Sequence, residues 1–286
     1  MSRIPISARF LAPLLVLLAA AVGYPLGYSL WLSVTSKTIT QQEVEFVGLD
    51  QYTGLLGNAD FGVAMRNTLV FVAVAVAVEL VLGLALALAL QKQRRARDLT
   101  RSFLLTPMFV TPIAVGLMFR FLLNQQLGAI PEVLNVFGIT IDFFGPSLAL
   151  ATIIAIDVWQ WTPFMVLLLL AGLESLPRQP FEAARVDGAS TWLTFRRVTL
   201  PLLKPVIAIA ILLRALDAFK VFEYVFATTR GGPGNATEAA QFLIYKTGFQ
   251  FFRLAEAAAM AFVLVGIVLL LVVVLYRMLM RQETAG

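Results

Sequence analysis

The chain has 286 residues, 59% of them hydrophobic and 14% charged, with a mean hydropathy of +0.85. A soluble domain of that size needs far more charge on its surface, so the composition excludes one. There is no cysteine or histidine, which removes disulfides, thiol nucleophiles, the usual zinc ligands and every Ser/His or Cys/His catalytic pair. The net charge of +5 carries no nucleic-acid reading, because in a membrane chain the placement of Lys and Arg matters more than their sum.

Long uncharged runs set the class. Phe10 to Ser36 and Ala257 to Tyr276 contain no charge, and the run between Arg66 and Lys92 is interrupted only by Glu79. Each exceeds the roughly 18 residues that mark a spanning helix. The expectation is an all-α, polytopic membrane protein forming one transmembrane domain over residues 1–286, with six spans near 11–33, 64–90, 103–123, 147–172, 206–227 and 255–276. Arg3 and Arg9 precede the first run, and Ala19, Ala20 and Ala21 offer a pattern like a signal-cleavage site. Apolar and aromatic residues nevertheless continue past Tyr24 and Pro25 to Trp31, which predicts a full span with an interfacial anchor.

A polar connection with Glu43, Glu45, Asp50 and Asp60 leads to the second span, and Lys92, Arg94, Arg95, Arg97 and Arg101 follow it at once. Pro107, Pro112 and Gly116 predict a bent third span whose freed backbone groups need neighbouring partners. The next loop, about 125–146, has no Lys or Arg, and a later one carries Arg230-Gly231-Gly232-Pro233-Gly234. Fourteen Lys and Arg fall on one side of this topology and five on the other, which predicts cytoplasmic termini and a cytoplasmic loop at 173–205.

That loop contains FEAARVDGASTWLTFRRVTLPLLKP, from Phe181 to Pro205. Pro180 suits the first turn of a short helix carrying Glu182, Ala183 and Ala184, with the acid near the positive helix end. Gly188 then stops it. Ser190 or Thr191 can cap a second short helix through Trp192, Phe195 and Arg196, which must end or kink before Pro201. The product is a helix, glycine elbow, helix knuckle, in which Ala183, Ala184 and Ala189 permit close approach and Trp192 and Phe195 share a face. By these residues alone it is either an amphipathic pair on the bilayer surface, with Arg196 and Arg197 toward lipid phosphates, or a docking element for another protein.

The fifth span carries Arg214, Asp217, Lys220 and Glu223, each expensive in hydrocarbon if unpaired, on the order of 2.5 to 3.5 kcal/mol. Spacing by three makes Arg214 a neighbour of Asp217, and Lys220 a neighbour of Asp217 or Glu223. Two readings fit: a structural ion-pair ladder, or a polar lining inside the bundle with the rings of Phe219, Phe222 and Tyr224 nearby. Glu79, Arg120 and Asp157 are lone charges in other spans and fit pairing roles. Trp159 and Trp161 fit a stacking platform for a ligand's ring or interfacial anchors. Asn235-Ala236-Thr237 is a weak glycosylation match, and there is no G-x-x-x-x-G-K-[ST] phosphate loop, so nothing on this chain can cradle a nucleotide's phosphates.

The EAA of residues 182–184, then Asp187-Gly188-Ala189, then Pro201 and Pro205 resemble the cytoplasmic coupling loop of permease subunits from binding-protein-dependent ATP-binding cassette (ABC) importers. FVGLDQYTGLL, RNTLVF, LLTPMFVTPIAVGLMF, WQWTPFMVLLLLAGLESLP and RALDAFKVFEYVFATTRGGPGNATE extend the resemblance over nearly the whole chain, to the carbohydrate branch related to maltose and glycerol-phosphate importers. That branch typically has aspartate where Glu223 stands. The resemblance implies a type I importer permease in a bacterial or archaeal cytoplasmic membrane and no catalytic residue on this chain. It implies a second permease, two ATPase subunits that bind ATP and Mg, and an extracytoplasmic solute-binding protein. Glu182, Asp187 and Gly188 become the transmission point, with Ala183, Ala184, Ala189, Trp192, Phe195 and Pro201 around them. Trp161, Arg214, Asp217, Phe219, Lys220, Glu223 and Tyr224 become the candidate substrate pathway. Polyols, osmolytes or glycerol phosphate are the nearest alternative solutes, and an ion-coupled carrier using the fifth-span charges is a more distant one.

Overall fold

The computed structural model describes residues 6–38, 44–93 and 97–283; Arg3, Glu43, Arg94 and Arg95 lie outside them. Helix α1 (Ile6–Leu18) passes through a π turn (Ala19–Gly23) into α2 (Tyr24–Ser33), followed by α3 (Asp50–Leu56) and the 34-residue α4 (Ala59–Lys92). Helix α5 (Arg97–Leu105) and a 3-10 turn (Thr106–Phe109) precede α6 (Pro112–Leu122), and α7 (Ala129–Val136) precedes the 27-residue α8 (Ala149–Ser175). Then come α9 (Gln179–Val186), α10 (Thr191–Thr194), a π turn (Phe195–Thr199), α11 (Leu200–Ala218) and α12 (Glu223–Ala227). Helix α13 (Ala240–Tyr245), a π turn (Lys246–Gln250) and α14 (Leu254–Glu283) complete the order.

Among the described residues, five helical stretches are long and apolar enough to cross a bilayer: Pro13–Ser33, Ala59–Lys92, Ala149–Ser175, Thr191–Ala218 and Leu254–Val274. A sixth crossing is available where Leu99–Phe109 meets Pro112–Leu122 at a bend of 92°. Prolines force that bend: Pro107 and Pro112 cannot donate, and Val110 between them is extended. The carbonyl freed there is recovered from another helix, because Gln160 Nε2 in α8 donates to Val110 O at 2.7 Å.

Contacts divide the chain into two compact units, residues 1–62 with 243–267, and residues 63–242 with 268–286. In the first, the side chains of the Pro13–Ser33 crossing are almost all exposed, and an aromatic stack runs from Tyr24 through Tyr28 to Trp31. Helix α3 is tied to the end of α2 by Tyr52 Oη donating to Ser33 Oγ (2.7 Å) and Gln51 Nε2 donating to Thr35 O (3.0 Å).

In the second unit α8 is the hub and is buried along most of its length. Ala87 and Leu90 of α4, Val166, Leu169, Leu170 and Leu173 of α8, and Leu203 of α11 form one apolar cluster. Close contact is possible because α4 presents Gly83 to α8: a Cβ there would sit 2.7 Å from that of Met165. In lipid, where burial from water drives little between helices, such small-residue approach supplies the packing. The glycine-rich loop is docked by α4, since Asn67 Nδ2 reaches the carbonyls of Asn235 (2.9 Å), Ala236 (3.3 Å) and Glu238 (3.1 Å), and Thr68 Oγ1 accepts from Ala240 N. The sequon is thus engaged internally, with Thr237 fully buried.

One helix boundary differs from the expected 206–227. Helix α11 begins at Leu200 and stops at Ala218; residues 219–222 leave helical geometry, and α12 restarts at Glu223. The four charges expected on one continuous span are therefore split across a break.

Candidate functional site

The knuckle forms as its residues require. Pro180 and Glu182 both lie in the first turn of α9. The helix closes on Gly188 at φ +68°, with Gly188 N donating to Arg185 O and Ala189 N to Ala184 O (2.9 Å). That left-handed backbone would cost an ordinary residue about 1–2 kcal/mol, hence glycine. Ser190, rather than Thr191, supplies the cap: its Oγ accepts from Leu193 N at 3.3 Å. The rings of Trp192 and Phe195 stack with centroids 5.6 Å apart.

Beyond Phe195 the chain does not end before Pro201. The π turn at Phe195–Thr199 absorbs the misfit and carries α10 directly into α11, with Pro201 exposed in the first turn. Glu182, Ala183, Asp187, Gly188 and Trp192 are exposed, Ala189 and Phe195 are half-buried, and Ala184 is buried. Ala184 therefore packs inward instead of offering a docking face. A groove of about 760 Å3 runs between the end of α4 (Leu88, Gln91, Lys92) and Phe181, Arg185 and Trp192.

In the last two turns of α11, Arg214 gathers three carboxylates, two of them from α4 and α8. Its Nη2 donates to Glu79 Oε1 at 2.9 Å, and its Nε lies 2.7 Å from Glu79 Oε2 as an ion pair outside hydrogen-bond geometry, joining two helices. The same Nη2 bonds Asp157 Oδ2, and Nη1 is 3.4 Å from Asp217 Oδ2. Its guanidinium carbon also stands 5.4 Å from the Trp161 ring centroid. Arg214, Glu79 and Asp157 are buried, whereas Asp217 is 44% exposed and turns its other oxygen to Lys220 Nζ at 3.3 Å. The Lys220 to Glu223 alternative is not the one adopted, because the break after Ala218 removes the helical spacing that would make them neighbours.

Beside this cluster lies a small cavity of about 150 Å3, floored by Asp157 and Pro112. Of the seven predicted pathway residues, Trp161, Arg214, Asp217, Lys220, Glu223 and Tyr224 line it. Phe219 does not: it is buried, because residues 219–222 turn off the helix and redirect it. Trp161 Nε1 donates to Tyr224 Oη (3.0 Å), and Tyr224 Oη donates to Gln160 Oε1 (2.7 Å). Gln160 links this wall to the bend of the third span, a role that its isolated place in an apolar run did not reveal. Of the other lone charges, Arg120 donates to Ala227 O at 3.2 Å. Trp159 packs edge-on against Phe119 away from the cavity.

A helical bundle with several apolar crossings, a bent span and an exposed knuckle between two of them defines a polytopic membrane protein. The chain belongs to the family of binding-protein-dependent transport system inner membrane components, whose model matches residues 79–283. It is 36% identical over 270 residues to the probable ABC transporter permease protein y4oQ of Sinorhizobium fredii, covering 93% of this chain and 87% of that protein. It is 33% identical over 246 residues to the trehalose/maltose transport system permease protein MalF of Thermococcus litoralis, covering 85% and 82%. Its fold matches a subunit in the crystal structure of a bacterial ABC transporter that imports the acidic polysaccharide alginate, with a TM-score of 0.83 at 22% identity over 96% of this chain and 94% of that one. The chain is accordingly a permease subunit of an ABC transport system, an inner-membrane component and not an enzyme, with the fold of type I importer permeases.

Proposed function

We propose that this chain forms half of the translocation pathway of an importer for a sugar or sugar derivative. Its spans and the 173–205 loop form one transmembrane domain, with that loop and both termini in the cytoplasm. A second permease completes the pathway, two ATPase subunits bind ATP and Mg on the cytoplasmic side, and a solute-binding protein delivers from outside. The sugar class rests on the trehalose/maltose relative and on the aromatic and polar wall of Trp161, Tyr224, Asp217 and Lys220. That wall offers a ring face and hydrogen-bonding groups together, which is what a hydroxylated ring needs.

The observation that carries the coupling assignment is the knuckle: exposed, closed by Gly188, and continuous with α11. Closure of two ATPases against Glu182, Asp187 and Trp192 tilts α11, and the bundle shifts between inward- and outward-open populations. Gly188→Pro and Asp187→Arg are expected to leave the protein inserted while abolishing co-purification with the ATPase and solute-stimulated ATP hydrolysis. Wild-type values for both quantities in both variants would defeat the assignment.

A further inference from the structure

The segment between α6 and α8 carries an apolar face that neither the knuckle nor the cavity uses. It sits at the end of α8 opposite the knuckle, since α8 runs 27 residues, about 40 Å, between them. Its backbone is well satisfied: Asn124 Oδ1 accepts from Gln126 N and Leu127 N, Gly128 N donates to Asn124 O, Ile139 N donates to Leu134 O, and Thr152 Oγ1 donates to Phe143 O. The exposure of its side chains is therefore a property of a fixed shape. Pro131 is buried and Ile130 and Leu134 half-buried, so one face of α7 already meets the protein. Val133, Val136 and Phe137, spaced i, i+3 and i+4, point away and are 58%, 80% and 74% exposed, and Leu127 beside them is 89% exposed.

We propose that α7 lies in the interface of the outer-side leaflet, with Val133, Val136, Phe137 and Leu127 inserted among acyl chains. The patch continues the exposed apolar surface of its two neighbours: Phe121 in the last turn of α6 and Leu148 just before α8 are exposed too. Eight residues cannot span a bilayer, so the helix must lie along it. No Lys or Arg occurs between Arg120 and Arg178, and the charges of 121–148 are Glu132 and Asp142 alone. Insertion is therefore apolar and not a pull toward anionic headgroups, unlike the common basic interfacial helix.

The native chain has no cysteine, so single spin labels test this directly. Val136→Cys, Phe137→Cys, Glu132→Cys and Asn135→Cys are each labelled in the assembled transporter in phosphatidylcholine nanodiscs, and accessibility to oxygen and to a water-soluble nickel chelate is measured. The oxygen-to-nickel ratio is expected to be several-fold higher at 136 and 137 than at 132 and 135, and unchanged when phosphatidylglycerol is added. Nickel access at all four positions would overturn the proposal, as would shielding of 136 and 137 from both reagents or only on adding a solute-binding protein.

Discussion

The knuckle and the Arg214 cluster use the same chemistry to opposite ends. Each mixes arginine, acid and aromatic residues, but in the cluster one guanidinium serves Glu79, Asp157 and Asp217, while Glu182, Arg185, Asp187, Arg196 and Arg197 of the knuckle form no ion pair with the described residues. Charges inside the bundle must be paired by neighbouring spans, since hydrocarbon offers no other partner. Charges at the knuckle are left open to solvent and to whatever docks there. The difference is one of pairing: buried charge here joins helices, and the knuckle's charge stays open to solvent.

The sharpest way to break this contrast is Arg214→Ala. Removing the guanidinium strands two buried carboxylates, and losses of about 3–5 kcal/mol are expected when one partner of a buried pair is deleted. Thermal unfolding in detergent should show the loss, while Arg214→Met combined with Glu79→Gln and Asp157→Asn should recover most of it. A normal melting curve with an altered solute profile in Arg214→Ala would mean that the arginine is a substrate contact. At the knuckle, Ser190→Ala removes the cap at a cost of about 1 kcal/mol to a local element. Global melting should barely move, whereas ATPase stimulation by solute should fall; equal losses in both would make the knuckle a stability element instead. The smallest stability effect belongs to Asp217→Asn. Asp217 is partly exposed and its longer contacts, 3.3 and 3.4 Å, are worth less than about 1 kcal/mol. Transport affinity should weaken at unchanged expression, and an unaltered uptake KM would remove Asp217 from the pathway.

Local rules made much of the knuckle legible before any coordinates. Pro180, Gly188 and Ser190 each act within four residues along the chain, so their consequences follow from backbone geometry alone. The same rules placed a bend at Pro107 and Pro112. They left open whether Pro201 would end the helix or kink it, because whether a π turn is stable depends on what packs around it. In the pathway, Phe219 was misplaced because periodicity extrapolated α11 through residues that break from it. Glu79 and Asp157 could be read as partners of something, but nothing near either named Arg214, which lies 135 and 57 residues away in the chain. Gln160 gave no signal at all, since its acceptor is a main-chain carbonyl freed by a bend in another span.

By itself, then, the sequence determined the membrane class, the approximate crossings and the helix, elbow, helix form of residues 179–199, because hydrophobic length, proline, glycine and caps act locally. The tertiary structure decided which charges meet, where the fifth crossing breaks and which side chains line the cavity. Those depend on three helices approaching within a few ångströms, and no single helix carries the register of its neighbours.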